Sequence, residues 1–199
     1  MKHTLLITTA LMLVVGCSEP INIDELVERD GIWHSKDTNK PYSGKAVKYL
    51  ENGQKDFEVT LKNGKADGKA TEWYENGQKG FEGTIKDGEL NGLLTYWYEN
   101  GQKREEGTIK DGRPNGKVTS WHENGQKSGE GTWKDGEKDG KWTWYNDDGQ
   151  KESEETFKDG ERDGLSTTWY ENGRKRFETT YKDGERIEWT SWDKYGNKK

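Results

Sequence analysis

A unit of 24 residues returns along most of this chain, and few folds tolerate so regular a period. Its clearest copy is KATEWYENGQKGFEGTIKDGELNG, from Lys69 to Gly92. The glycine of a Glu-Asn-Gly turn or its variant recurs at Gly53, Gly77, Gly101, Gly125, Gly149 and Gly173, and one residue early at Gly196. Self-similarity at this spacing marks a repeat architecture, in which each unit buries its apolar side chains against its neighbours.

Each copy contains two extended runs. The first begins after a glycine (Gly44, Gly68, Gly92, Gly116, Gly140, Gly164) and ends in an aromatic pair such as Trp73-Tyr74; the second, such as Lys79 to Ile85, follows the turn and leads into Lys-Asp-Gly. Glycines interrupt every window long enough for a helix, and no 3.6-residue pattern is present. The expected fold is all-β: a single extended, twisted antiparallel meander of about 14 strands built from 24-residue β-hairpin repeats. A sheet that wide is expected to twist and roll.

Composition alone points elsewhere. With 35% charged and 27% hydrophobic residues, the chain lies near the disordered class. The apolar content is instead concentrated in ten Trp and nine Tyr, at fixed places in the period.

The hairpin register follows from how those rings segregate. A two-residue Asn76-Gly77 turn would scatter the apolar residues over both faces. A three-residue Glu75-Asn76-Gly77 loop sets Tyr74 opposite Gln78 and Trp73 opposite Lys79. Continued without interruption, that register gathers Thr71, Trp73, Phe81 and Ile85 on one face. It likewise joins Trp97 to Ile109, Trp121 to Trp133, Tyr145 to Phe157, and Trp169 to Phe177 and Tyr181. One aromatic ladder is therefore expected, with Glu82, Thr84 and their copies opposite it.

The lead-in divides into three parts. Lys2, the apolar run Leu5 to Val15 and the series Val14-Val15-Gly16-Cys17 resemble a bacterial lipoprotein signal, so residues 1–16 are expected to be removed. Cys17, the only cysteine, then becomes the lipidated N-terminus. Ser18 after it favours the outer membrane over the inner one, by the same resemblance. Residues 17–25 are expected to be a lipidated tether, 26–43 a capping hairpin and lead-in with Asp30-Gly31 as its turn, and 44–199 the repeat domain. The hairpin is expected to cover the open edge of the first repeat.

The formal charge is −6, from 32 basic and 38 acidic residues, one unit more negative without Lys2. Such a balance speaks against nucleic acid. Catalysis has little to stand on. His34 and His122 lie in different repeats and form no ligand pair, and His122 occupies the slot of Tyr74 and Tyr98. Glu82 and its copies recur too regularly, beside Lys79 and its copies, for a singular acid/base pair. Asp87, Asp111, Asp135 and Asp159 stand in Asp-Gly turns with too few oxygens for calcium. No enzyme activity, cofactor or metal site is expected.

The units WYENGQK and KDGxxDG resemble the bacterial variant of the MORN repeat, from Gly44 onward, and ERDGIWH and NKPYSG are similar to the lead-in of such proteins. The resemblance implies extended antiparallel sheets that act as scaffolds or interaction surfaces. Some members resemble antitoxin or immunity components, the YwqK-like group. The expected function is thus a lipid-anchored, non-enzymatic scaffold that binds a protein partner in the bacterial envelope. An antitoxin whose partner is a toxin, or a binder of cell-wall glycan, are the alternatives. Trp73, Trp97, Trp121, Trp133, Trp142, Trp144 and Trp169 form the candidate binding face, read either as a groove or as rings that bury one another.

Overall fold

A computed structural model describes residues 19–199, and the expected signal over residues 1–16 and Cys17 lie outside the described residues. The repeats and the lead-in strand Ile21–Asn22 build one sheet of 16 strands, 14 of them in a single path of neighbours. Copy one pairs Gly44–Tyr49 with Lys55–Lys62, copy two Lys65–Trp73 with Lys79–Lys86, and copy three Gly92–Trp97 with Lys103–Lys110. Copy four pairs Arg113–Trp121 with Lys127–Lys134, copy five Glu137–Tyr145 with Lys151–Lys158, and copy six Gly164–Trp169 with Lys175–Lys182. Strand Glu185–Ser191 opens the seventh copy. Every connection between these strands is an antiparallel meander, as the period requires.

Two turns alternate. In the first, Gly77 N–H donates to Tyr74 O and Tyr74 N–H to Gln78 O, both at 2.8 Å, which closes the three-residue loop read from Glu75-Asn76-Gly77. In the second, Asp87 (φ 52°) and Gly88 (φ 88°) are both left-handed and Lys86 pairs with Glu89. This is a two-residue turn whose twist matches the flanking strands.

One residue past the first turn the expected register breaks. Trp73 does face Lys79, but the next pair is Glu72 with Phe81, so Gly80 is an unpaired extra residue. The same bulge leaves Asp56, Arg104, Ser128, Glu152 and Arg176 unpaired in the other copies. A bulge of one residue moves everything beyond it to the opposite face. Trp73 therefore shares its face with Thr71, Glu82 and Thr84, while Phe81 and Ile85 lie on the other with Ala70. The single aromatic ladder is corrected to two separate aromatic sets. Trp97, Trp121, Tyr145 and Trp169 do not join Ile109, Trp133, Phe157 and Tyr181.

The core sits on the apolar face in two clusters. Ala46, Val59, Leu61 and Ala70 fill the first with Leu26, flanked by Phe57, Phe81 and Ile85. Val118, Trp142 and Phe157 fill the second, flanked by Trp133 and Trp144. Neighbouring strands trade volume. Val59 pairs with Ala70, whereas a Cβ on Gly131 would come closer than 3.0 Å to three atoms of the Trp142 indole. Glycine stands there because a bulky ring from the next repeat covers it.

The lead-in also departs from expectation. The edge of copy one is covered by Ile21–Asn22, which pairs in parallel with Ala46 and Val47; from Ile21 onward the supposed tether is part of the folded unit. The hairpin Leu26–Arg29 and Ile32–Ser35 forms its own small sheet and lies on the apolar face instead, with Leu26 in the first cluster. Trp33 N–H donates to Gly64 O at 2.8 Å, Gly64 N–H to Tyr42 O at 2.7 Å and Tyr42 N–H to Trp33 O at 2.9 Å. Burying Leu26 over small residues accounts for this choice of face over edge.

Candidate functional site

On the first face, each tryptophan is covered by a lysine from the preceding copy. Lys55 Nζ lies 5.3 Å from the Trp73 ring, Lys79 5.7 Å from Trp97, Lys103 5.7 Å from Trp121 and Lys151 5.8 Å from Trp169. The same lysines reach along their own strand to a glutamate: Lys79 to Glu82 at 2.5 Å, Lys103 to Glu106 at 2.5 Å, Lys151 to Glu154 at 2.7 Å. A lysine from the neighbouring strand joins several of them, such as Lys69 at 2.9 Å from Glu82. The ammonium over the ring is a cation–π contact, and the glutamate orients it.

These contacts set the titration of the face. The hydrogen bond from Lys79 holds the Glu82 carboxyl below its ordinary range, and Lys127 with the Tyr145 hydroxyl does the same for Glu130. At Glu154 burial pushes upward, but Lys141 and Lys151 outweigh it. Copy five breaks the pattern, since Tyr145 replaces tryptophan and its hydroxyl donates to Glu130 Oε1 at 2.9 Å. Burial and that carboxylate push the Tyr145 phenol up. A paired, ionised carboxylate is poorly suited to general acid work.

The opposite face holds the richer aromatic group. Trp133 meets Trp142 edge-on at 5.2 Å, Trp142 stacks with Trp144 at 5.9 Å, and Phe157 sits 6.5 Å from both Trp142 and Trp144. Lys138 Nζ projects into the group, 4.6 Å from the Trp142 ring and 4.9 Å from those of Trp144 and Phe157. Trp142 is 7% exposed, and Trp133 and Trp144 are half-buried. Further along, Phe81 and Tyr96 are half-buried against each other at 5.0 Å, and Phe177 is exposed.

Of the seven candidate tryptophans, Trp133, Trp142 and Trp144 come together on this apolar face. Trp73, Trp97, Trp121 and Trp169 are on the other, each beneath its lysine. Sequence reasoning missed Lys138 and Tyr96, and set Phe81 and Phe157 on the face of Trp73 and Tyr145 instead of this one. Their signal was available: Ala70, Leu94, Val118 and Trp142 occupy one slot, Tyr96 and Trp144 the slot two residues on, and both have the parity of the apolar face. Among the described residues no cluster of His, Cys, Asp and Glu is placed to hold a metal.

The repeat itself decides the family. The model of the MORN repeat variant matches five successive segments, residues 66–87, 90–111, 114–135, 138–159 and 162–183. The chain belongs to the MORN repeat variant family. MORN repeats occur in repeat proteins that often bind partners and are generally non-catalytic scaffolds. No curated protein matches the chain. Within the MORN unit, the turn glycine and the aromatic pair belong to the structural ladder, and the slots that differ between copies supply the individual surface.

Proposed function

We propose that this protein is a non-enzymatic scaffold that binds a protein partner through the apolar face of its sheet, over copies two to six. The observation that carries this reading is that beyond the N-terminal hairpin no further layer covers that face among the described residues. Phe81, Tyr96, Trp133 and Trp144 remain partly open there, and Phe177 is 39% exposed. Contiguous apolar surface of this kind marks interaction sites, and aromatic rings interleaved with Lys138 and Arg104 have the composition of binding hot spots. The rings lie against one another, with Trp142 stacked on Trp144 and edge-on to Trp133, and Lys138 stands over Trp142 and Trp144, which leaves few bare flat platforms for a polysaccharide and favours protein over glycan.

The resemblance of Val14-Val15-Gly16-Cys17 to a lipoprotein signal supports a reading in which the scaffold is anchored through Cys17 in the bacterial envelope, at the outer membrane. Resemblance to YwqK-like proteins makes a toxin the first partner class to test. Cross-linking and recovery from envelope extracts tests the surface: Trp144→Ala and Phe81→Ala reduce partner recovery while Trp121→Ala, on the lysine-covered face, leaves it unchanged. Equal loss from Trp121→Ala would contradict the choice of face. For the anchor, Cys17→Ser moves the protein from the membrane to the soluble fraction.

A further inference from the structure

The first-turn edge of the sheet is held by a ladder of side chains that repeats along the array. Tyr74 hydroxyl donates to Trp97 O at 2.7 Å, Tyr98 to Trp121 O at 2.8 Å and Tyr170 to Trp192 O at 2.9 Å, and His122 Nε2 lies 2.9 Å from Tyr145 O. A second rung runs beside it. Asn76 Nδ2 donates to Glu99 O at 2.6 Å, Asn100 to Glu123 O at 2.8 Å, Asn124 to Asp147 O at 2.7 Å and Asn172 to Lys194 O at 2.9 Å. The next residue adds a third contact, since a Cβ on Gly101, Gly125 or Gly149 would press against Gln78, Gln102 or Gln126 of the preceding copy.

Between copies five and six all three rungs are missing. Asn146 stands in the tyrosine slot and turns inward to accept from Gln150 N–H at 2.8 Å. Asp148 stands in the asparagine slot and has no N–H to give. A Cβ on Gly173 would meet nothing within 4 Å, so Gln150 does not cover it. Leu50 and Asn52 also leave the first step without its first two rungs, though Gln54 still lies against Gly77. At the fifth step lies an open cleft of about 870 Å³ lined by Asn146, Asp148, Trp169 and Tyr170, with Lys151 and Arg176 on its walls and Lys194 of the seventh copy at its far end, against about 380 Å³ beside Tyr98 and Asn100 at an intact step.

We infer that this cleft seats a tyrosine side chain of a protein partner, whose phenol donates to Trp169 O as Tyr98 donates to Trp121 O. The occupant is specified by the molecule itself. At three other steps a phenol fills the corresponding space and donates to the tryptophan carbonyl, whereas Asn146 turns to Gln150 and leaves the copy-six carbonyl without that donor. A bare carbonyl beside an aromatic slot rewards a ring that carries a hydroxyl over one that does not. The site lies on the turn edge and is separate from the apolar face, so its occupancy does not depend on that surface.

The test uses p-cresol, the tyrosine side chain alone, with toluene as the ring lacking the donor, followed by amide chemical shifts of residues 169–173 in the full repeat protein. The expected result is saturable shifts with p-cresol and binding weaker by about tenfold for toluene, the loss of one net hydrogen bond. Asn146→Tyr fills the cleft from within and abolishes the p-cresol shifts, and it raises the unfolding midpoint by restoring a rung. Tyr98→Asn with Asn100→Asp removes the phenol and amide rungs of the third step and transfers p-cresol shifts to residues 121–125, which keeps the test decisive if Asn146→Tyr fails to fold. No shift in the parent protein, equal shifts with toluene, or undiminished p-cresol shifts in a folded Asn146→Tyr protein would overturn the inference. Trp144→Ala leaves these shifts in place, so failure here and failure at the apolar face are read separately.

Discussion

Gly131 is the position where the packing of the apolar face can be tested by adding a single methyl group. Its backbone is not left-handed, so alanine fits the strand and in isolation gains about 0.5–1 kcal/mol over glycine. The methyl, however, would lie within 3.0 Å of three atoms of the Trp142 indole. That ring has little room to retreat, being flanked by Trp133 at 5.2 Å, Trp144 at 5.9 Å and Phe157 at 6.5 Å. Overpacking of this kind costs about 1–3 kcal/mol, so Gly131→Ala is expected to destabilise by about 1–2 kcal/mol net. Copy three supplies an internal control: a Cβ on Gly107 would sit 3.4 Å from Val118 Cγ2, an ordinary contact, and Gly107→Ala is expected to be neutral or mildly stabilising. Trp142→Val reproduces that pair in copy four. It costs about 2–4 kcal/mol by itself, somewhat below a Trp→Ala change, but in its background Gly131→Ala no longer destabilises. The assay is urea unfolding followed by far-ultraviolet circular dichroism, with hydrogen exchange across copies four and five to localise the effect, because repeat arrays distribute stability between neighbours. Equal destabilisation by Gly131→Ala in both backgrounds would refute the placement of Trp142 over Gly131.

The edge ladder and the charge lattice give two further expectations. Tyr98→Phe removes the 2.8 Å bond to Trp121 O and lowers stability by about 0.5–1.5 kcal/mol, with faster amide exchange at the turns closed by Gly101 and Gly125. Glu82 titrates below its ordinary value of 4.5 because it is held by Lys79 and then Lys69. A carboxyl lowered on folding contributes stability that is complete above the unfolded value and lost as pH falls from about 4.5 through the lowered one. The unfolding midpoint of the parent therefore drops through that window, and Glu82→Gln flattens the drop; an unchanged profile would show that the lattice adds no stability.

The period, both turn types and the strand path were legible because they rest on local chemistry. Asp87-Gly88 demands left-handed backbone, and Glu75-Asn76-Gly77 closes a loop whose first pair, Trp73 with Lys79, is fixed by the turn itself. The division of the aromatic rings was not legible by the same route, because one unpaired residue after the turn reverses the parity of the whole second strand. That residue left a trace. Its slot holds Asp56, Gly80, Arg104, Ser128, Glu152 and Arg176, an indifference to charge and size that suits a position outside the pairing. The uninterrupted register joined Trp121 to Trp133, whereas the bulge at Ser128 sets Trp133 beside Trp142 instead. Ile21–Asn22 was hidden for another reason: a two-residue parallel strand has no pattern of its own and is held by the edge it covers.

The separation of the two aromatic sets is tested most directly by nuclear Overhauser contacts among the indole and phenyl rings of the folded protein. Cross-peaks linking Trp142 to Trp133, Trp144 and Phe157, with none between Trp121 and Trp133, are the expected result. Cross-peaks between Trp121 and Trp133, with Trp142 isolated from both, would place the rings on one face and contradict the bulged register on which the two-faced sheet depends.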